Sequence, residues 1–157
     1  MRNLSATSLS LWVRDLSTSR NGSRLFHFSL APNEEIYFAP DELNSATSVA
    51  GGHLGGKHTG AAFVDIWTTS PVLTDKLWHQ VAFTWSSTSI ALYIDGKPAG
   101  SKSAPGARPS DLGNTSPDWL GRTLDDAFLA LYGEMDDLRV YDRVLTAGEI
   151  ALLYAMP

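Results

Sequence analysis

The 157 residues predict an all-β fold: an antiparallel β-sandwich followed by one short C-terminal helix. Three observations carry this. Apolar and aromatic residues recur at every second position in short runs, the period of a half-buried strand. Asp95-Gly96 lies between two such runs, and this dipeptide suits a type I′ turn because both central residues need positive φ. Thr146-Ala147-Gly148-Glu149 forms a capping box, Thr at the N-cap and Glu at N3, which opens a helix running through Tyr154.

Taken in order, Thr7 to Asp15 alternates, with Leu9, Leu11 and Val13 on one side and Ser8, Ser10, Trp12 and Arg14 on the other. Ser17 to Ser23 is a Ser/Thr/Asn/Gly loop. Arg24 to Leu30 alternates again, Leu25 and His27 opposing Phe26 and Phe28. A turn at Ala31-Pro32-Asn33-Glu34 leads into a short strand, Glu35 to Phe38, which Pro40 ends. Residues 39–60 break the rhythm and read as a long Ser-, Ala-, Gly- and His-rich loop, a length usually reserved for function or disorder. Ala62 to Trp67 resumes as strand, and Gln80 to Trp85 points Val81, Phe83 and Trp85 inward. Ser86-Ser87-Thr88 turns the chain into Ile90 to Ile94 and the Asp95-Gly96 hairpin. Gly100 to Pro117 reads as a second long connection, and Leu131 to Tyr141 as the last strand, with Gly133 marking a bulge.

Composition narrows the function. At this length one domain over residues 1–157 is the expectation, with a self-sufficient core. Net charge is −5, and the 12 Lys and Arg form no basic stripe, which argues against nucleic acid as a partner. No apolar run approaches the ~20 residues of a membrane span. The absence of cysteine removes disulfides, thiolate metal sites and a Cys nucleophile. Met1-Arg2-Asn3-Leu4 leads into Ser and Thr without the apolar core of a secretory signal, as expected of a domain cut from a longer chain. Asn3, Asn21 and Asn114 open glycosylation sequons, triplets that are common by chance.

Ordered motifs add a resemblance. Leu11-Trp12-Val13 is followed by Trp78-His79-Gln80-Val81-Ala82 and Tyr93-Ile94-Asp95-Gly96-Lys97. Then come Leu112-Gly113-Asn114-Thr115, Asp118-Trp119-Leu120-Gly121-Arg122 and Gly133-Glu134-Met135-Asp136-Asp137-Leu138-Arg139-Val140-Tyr141-Asp142-Arg143, closing with Leu145-Thr146 and Glu149-Ile150. Over roughly residues 4–155 this set resembles the laminin-G-like, concanavalin A-like lectin/glucanase domains, in particular those appended to bacterial secreted glycoside hydrolases. The resemblance implies a jelly-roll sandwich in an extracellular, non-catalytic carbohydrate-binding or accessory module. The alternative it leaves open is a structural or protein-interaction domain that packs on a neighbouring domain without a ligand of its own. Family members carry an N-terminal segment with an Asp/Gly-rich turn and an edge strand, and the chain lacks its counterpart. An edge left uncovered favours pairing with a second copy.

Candidate chemistry follows. The resemblance implies a structural Ca²⁺ at Asp136, whose side-chain and backbone oxygens suit a hard cation. The competing reading ties Asp136 and Asp137 to Arg139, Arg143 or loop backbone. Glu134-Met135-Asp136 is similar to the start of the Glu-X-Asp-X-X-Glu strand of laminarinase-like glycosidases, yet the third position is Arg139, so the two-carboxylate machinery is incomplete. Sugar binding needs an aromatic platform flanked by polar groups. Trp67, Trp119, Arg122 and Tyr132 are the candidates chosen, with Tyr37, Arg14, Asp65 and Asn114 as further members. Trp12, Trp78 and Trp85 fall within strand motifs and read as structural, and His79 as a surface or hydrogen-bonded packing residue rather than a catalyst. His53, Lys57 and His58 read as parts of a solvated mobile loop rather than a metal pair.

Overall fold

A computed structural model describes residues 3–17, 22–31, 33–44, 49–68, 72–103, 105–115, 118–123 and 130–156. The sequon at Asn21, the turn residue Pro32, and parts of the two predicted loops, at 18–21 and 45–48, lie outside them. The fold is the predicted concanavalin A-like sandwich of two five-stranded antiparallel sheets with one helix.

The first sheet holds β1 (Ala6–Asp15), β6 (His79–Ser86), β7 (Ser89–Ile94), β8 (Lys97–Ser103) and β10 (Gly133–Tyr141), in the order β10-β1-β6-β7-β8. The second holds β2 (Phe26–Ala31), β3 (Glu34–Asn44), β4 (Val49–His58), β5 (Ala61–Trp67) and β9 (Asp118–Leu120), in the order β5-β4-β3-β2-β9. The alternating apolar residues face each other between the sheets. Leu9, Leu11, Val81, Phe83 and Trp85 meet Phe26, Ile36, Phe38, Leu54 and Ile66, all buried. Each such side chain contributes about 1.5–3 kcal/mol relative to exposure. Phe26 stacks on Phe83 at 5.2 Å, Phe63 stacks on Trp85 at 4.9 Å, and Trp85 Nε1 donates to the Ala107 carbonyl at 2.9 Å.

Local chemistry explains the connections. Asp95 and Gly96 have φ of 50° and 71°, the left-handed pair that a type I′ turn requires. Thr146 caps α1 (Ala147–Ala155): its hydroxyl accepts from the Glu149 N–H at 3.2 Å, and the Glu149 carboxylate accepts from the Thr146 N–H at 2.7 Å. Ile150 then buries against Ala82 and Leu145 on the outer face of the first sheet.

Three expectations fail. The segment 39–60 is not a loop, because β3 continues to Asn44 and β4 occupies Val49–His58. Pro40 is accommodated where the β3–β4 register slips between Ala39 and Glu42, so the donor it lacks is not missed. The glycines of β4 answer close approach rather than flexibility: a Cβ on Gly55 would run into the Tyr37 ring, and one on Gly56 would meet Phe63 at 2.7 Å. Second, the connection from Gly100 is shorter than expected, since β8 pairs with β7 as far as Ser103. Third, the irregularity of β10 lies opposite Ser10 and Trp12, around Asp136 and Asp137, and not at Gly133.

β10 pairs with β1 alone among the described strands. Met135 and Val140 lie opposite the buried Val13 and Leu9, yet are 37% and 61% exposed. The core-facing side of this edge is therefore open.

Candidate ligand-binding face

Cross-strand partners point to the same side of a sheet. Across the second sheet the register runs Trp119, His27, Tyr37, Gly55, Asp65, one residue from each strand. Their neighbours along the strands are core residues, so this row faces outward. At about 4.8 Å per strand it spans roughly 19 Å. The next outward row holds Ala39, His53 and Trp67.

The two rows are knit by ion pairs and ring contacts. His53 accepts or donates on both sides, Nδ1 to Glu42 at 2.7 Å and Nε2 to Asp65 at 2.9 Å. Trp67 stacks on the His53 ring at 3.9 Å, with planes 7° apart, and donates its indole N–H to Asp65 at 2.7 Å. Glu42 also pairs with Arg24 at 2.9 Å, and the Arg24 guanidinium lies over the Tyr37 ring at 3.7 Å. Nearer β9, His27 bonds Glu35 at 2.9 Å and Thr123 at 2.8 Å. At that end the Arg122 guanidinium sits over the Trp119 ring at 4.8 Å.

Burial works against these charges, and pairing restores them. Burial pushes the Glu42 carboxyl up, but the hydrogen bond from His53 and the charge of Arg24 together bring it below its ordinary range. The His27 hydrogen bond lowers Glu35 against its burial. Burial, with the Glu42 carboxylate beside it, pushes the Tyr37 phenol up to about 12, so it stays protonated and able to donate at neutral pH. Most of the network is buried among its own partners. Asp65, bonded to His53 and Trp67 through Oδ1, is the exception in exposure: its side chain is 62% exposed.

The structure brings Trp67, Trp119, Arg122, Tyr37 and Asp65 to one face. It places Tyr132 elsewhere, 70% exposed just before β10, with its carbonyl accepting from Leu16 N–H at 2.9 Å. Arg14 and Asp136 belong to the first sheet. Asp136 is exposed, accepting from the Asp137 N–H at 2.7 Å, while Asp137 pairs with Arg139 at 2.7 Å. No group of three or more histidines, cysteines and acids that could hold a metal occurs among the described residues.

Two readings are corrected. His53 is not a loop residue but a buried strand residue bonded on both nitrogens, and His58 bonds Glu34 at 2.7 Å. Glycines on either side of His53 hid its strand. Trp78, grouped by its motif with Trp85, is 40% exposed and so is not held in the core as the fully buried Trp85 is. Of the two positions open to His79, surface or packing, it takes the second, buried between Asp95 at 2.8 Å and Asp75 at 3.0 Å. The sequence reading missed Arg24, Glu35 and Glu42. The alternation that set His27 against Phe26 and Phe28 was the signal for an outward polar row.

Several solved structures share this fold. Domain 4 of AbnA, a GH43 extracellular arabinanase from Geobacillus stearothermophilus, in complex with arabinotriose, matches with TM-score 0.72 and 23% identity, covering 96% of this chain and 67% of that one. The Ruminococcus gnavus IT-sialidase CBM40 bound to α2,6-sialyllactose matches with TM-score 0.68 and 15% identity, covering 98% and 85%. Domains LG4-5 of the mouse laminin α1 chain match with TM-score 0.65 and 12% identity, covering 94% of this chain but 38% of that structure. The chain thus spans well under two thirds of the length of some structures it matches. No curated protein sequence matches. No helix among the described residues is long and apolar enough to cross a membrane. A family model, the Concanavalin A-like lectin/glucanases superfamily, matches residues 2–151, and the chain belongs to that family.

Proposed function

We propose that the chain is a non-catalytic carbohydrate-binding module of a secreted protein, and that it binds glycan on the outer face of the second sheet. The observation that carries this is the Trp67–Asp65 pair. An indole held flat by stacking on His53 sits beside an exposed carboxylate that it orients by a 2.7 Å hydrogen bond. A ring face for the apolar side of a sugar and an acceptor for its hydroxyls are the two elements such recognition needs. Trp119 and Arg122 supply a second pair at the far end of the row. The structures bound to arabinotriose and sialyllactose support the reading as examples of this fold holding glycans.

Calorimetric titration with arabino-oligosaccharides, sialyllactose and a panel of plant and microbial glycans tests it. Binding of at least one glycan, lost in Trp67→Ala and weakened in Trp119→Ala with the melt unchanged, is the expected result. No binding at millimolar concentration overturns it. One observation favours a second reading, a domain that packs on a neighbour: the exposed core-facing residues Met135, Leu138 and Val140 at the open edge. A flat glycan panel together with tight docking of an adjoining domain on that edge would select it.

A further inference from the structure

The first sheet carries its own hollow on the side away from the core. Its volume is about 300 Å³, and Trp12, Trp78, Asp136 and Asp137 line it. The residues arrive there for separate reasons. Trp12 is an outward residue of β1, between the inward Leu11 and Val13, and stacks on Tyr154 of α1 at 5.6 Å. Trp78 immediately precedes β6 and is 40% exposed. Asp136 and Asp137 occupy the irregular part of β10, where the register to β1 shifts opposite Trp12. Asp137 has φ of 50°, a left-handed conformation that is costly for a residue with a side chain. Irregularities of this kind re-aim side chains, and they concentrate at sites.

The electrostatics of the hollow are one-sided. Asp137 is neutralised by Arg139 at 2.7 Å, and Arg14 at the rim is neutralised by Glu134 at 2.7 Å. No cation pairs with Asp136 among the described residues. The ring of Trp78 already attracts a cation, since the Arg14 guanidinium lies 5.8 Å from its centroid. Trp12 Nε1 is buried and has no hydrogen-bond partner among the described residues, so a donor also awaits an acceptor. Aromatic rings with an unneutralised carboxylate favour a positively charged group with an apolar body.

From this we infer that the hollow is a second binding site, distinct from the face of the second sheet, and that it takes the ammonium group of a small ligand. The ammonium would sit against Asp136 and the tryptophan rings. An amino sugar and a choline-type headgroup share this chemistry. The amino sugar also offers a hydroxyl oxygen to the Trp12 N–H, so it is the better fit.

The test follows the indole N–H signals of the intact chain by NMR during titration with glucosamine, choline, glucose and calcium chloride. Assignment uses single Trp→Phe variants. Glucosamine or choline should shift the Trp12 and Trp78 signals, glucosamine the more strongly at Trp12, while glucose at equal concentration leaves them in place. Asp136→Asn should weaken ammonium binding about tenfold, the loss of one charge-assisted interaction. This variant is exposed and nearly isosteric, so its fold is retained even if Trp78→Ala loses stability. Trp67→Ala should leave the titration unchanged, which separates this site from the glycan face. Equal shifts by glucose, an unaffected Asp136→Asn titration, or a response to calcium alone would each overturn the proposal.

Discussion

The outer faces of the two sheets are built on opposite principles. The first sheet is covered by α1, which buries Ile150 against Ala82 and Leu145 with Tyr93 and Tyr141 alongside. That contact is apolar and structural. Among the described residues no α-helix covers the second sheet. Its outer face is a layer of charged and aromatic side chains, with Arg24, His27 and His53 buried on it. Desolvating ions costs several kcal/mol each and is recovered only when every partner is present. An apolar cover would serve stability more simply. A fold that keeps Arg24–Glu42–His53–Asp65 in register beneath an indole is holding a surface in shape.

The largest expected effect comes from breaking that layer at its most buried link. Arg24 and Glu42 side chains are 6% and 19% exposed. Arg24→Ala leaves the Glu42 carboxylate buried with His53 as its remaining partner and removes the cation over Tyr37. The expected loss is about 3–5 kcal/mol in a urea melt, toward the lower end because His53 stays. The contrasting substitution is Arg143→Ala beside the helix. Its pair with Glu149 has side chains 55% and 35% exposed, so solvent screens it and the melt should barely move. Equal losses would remove the distinction between the two faces.

A smaller effect sharpens the comparison by touching shape without charge. Gly55→Ala puts a methyl group against the Tyr37 ring in the middle of the outward row. Overpacking of this kind costs about 1–3 kcal/mol. Displacing Tyr37 should also weaken glycan binding on the second sheet while leaving ammonium binding on the first untouched. Parallel titrations of the two ligands check this.

The same glycine shows how far the sequence could be read. Strands such as Thr7 to Asp15 and Gln80 to Trp85 announce themselves, because large apolar residues recur at every second position, Leu9, Leu11 and Val13 in one and Val81, Phe83 and Trp85 in the other. β4 cannot, since glycine has no side chain to alternate, and the reason for glycine lies on other strands, in Tyr37 and Phe63. With β4 silent in the alternation, the face it completes is silent too. His53 could not be seen between Glu42 and Asp65, nor Trp67 stacked upon it. Trp67 and Trp119 were legible as aromatics beside polar residues. Their place on one face was not, because that depends on the register of five strands. Trp78 was misread in the opposite sense: its motif fixes the strand that follows, not the direction of the indole.

Acid provides the last and gentlest way to separate the faces. Glu35 and Glu42 lie on the second sheet and both have carboxyls held below the ordinary 4.5. A group whose folded-state value is depressed adds stability that is present above its unfolded value and lost as pH falls through the folded one. His79 has the reverse sign: its value is raised above 6.5, with burial opposing and the hydrogen bonds to Asp95 and Asp75 prevailing. Its contribution is full below 6.5 and fades as pH rises through the raised value. The melting temperature should therefore pass through a maximum between about pH 4.5 and 6.5. Below it, hydrogen exchange should quicken first in β3 and β4, which carry the paired carboxylates, while β6 under the apolar contact of α1 stays protected. His79→Gln should flatten the alkaline limb. It should trim the acid limb slightly because Asp75, against its partial burial, is lowered by its hydrogen bond to His79, while the contributions of Glu35 and Glu42 stay in place. Simultaneous loosening of both sheets on acidification would show that the paired layer is no more dependent on its charges than the helix-covered face.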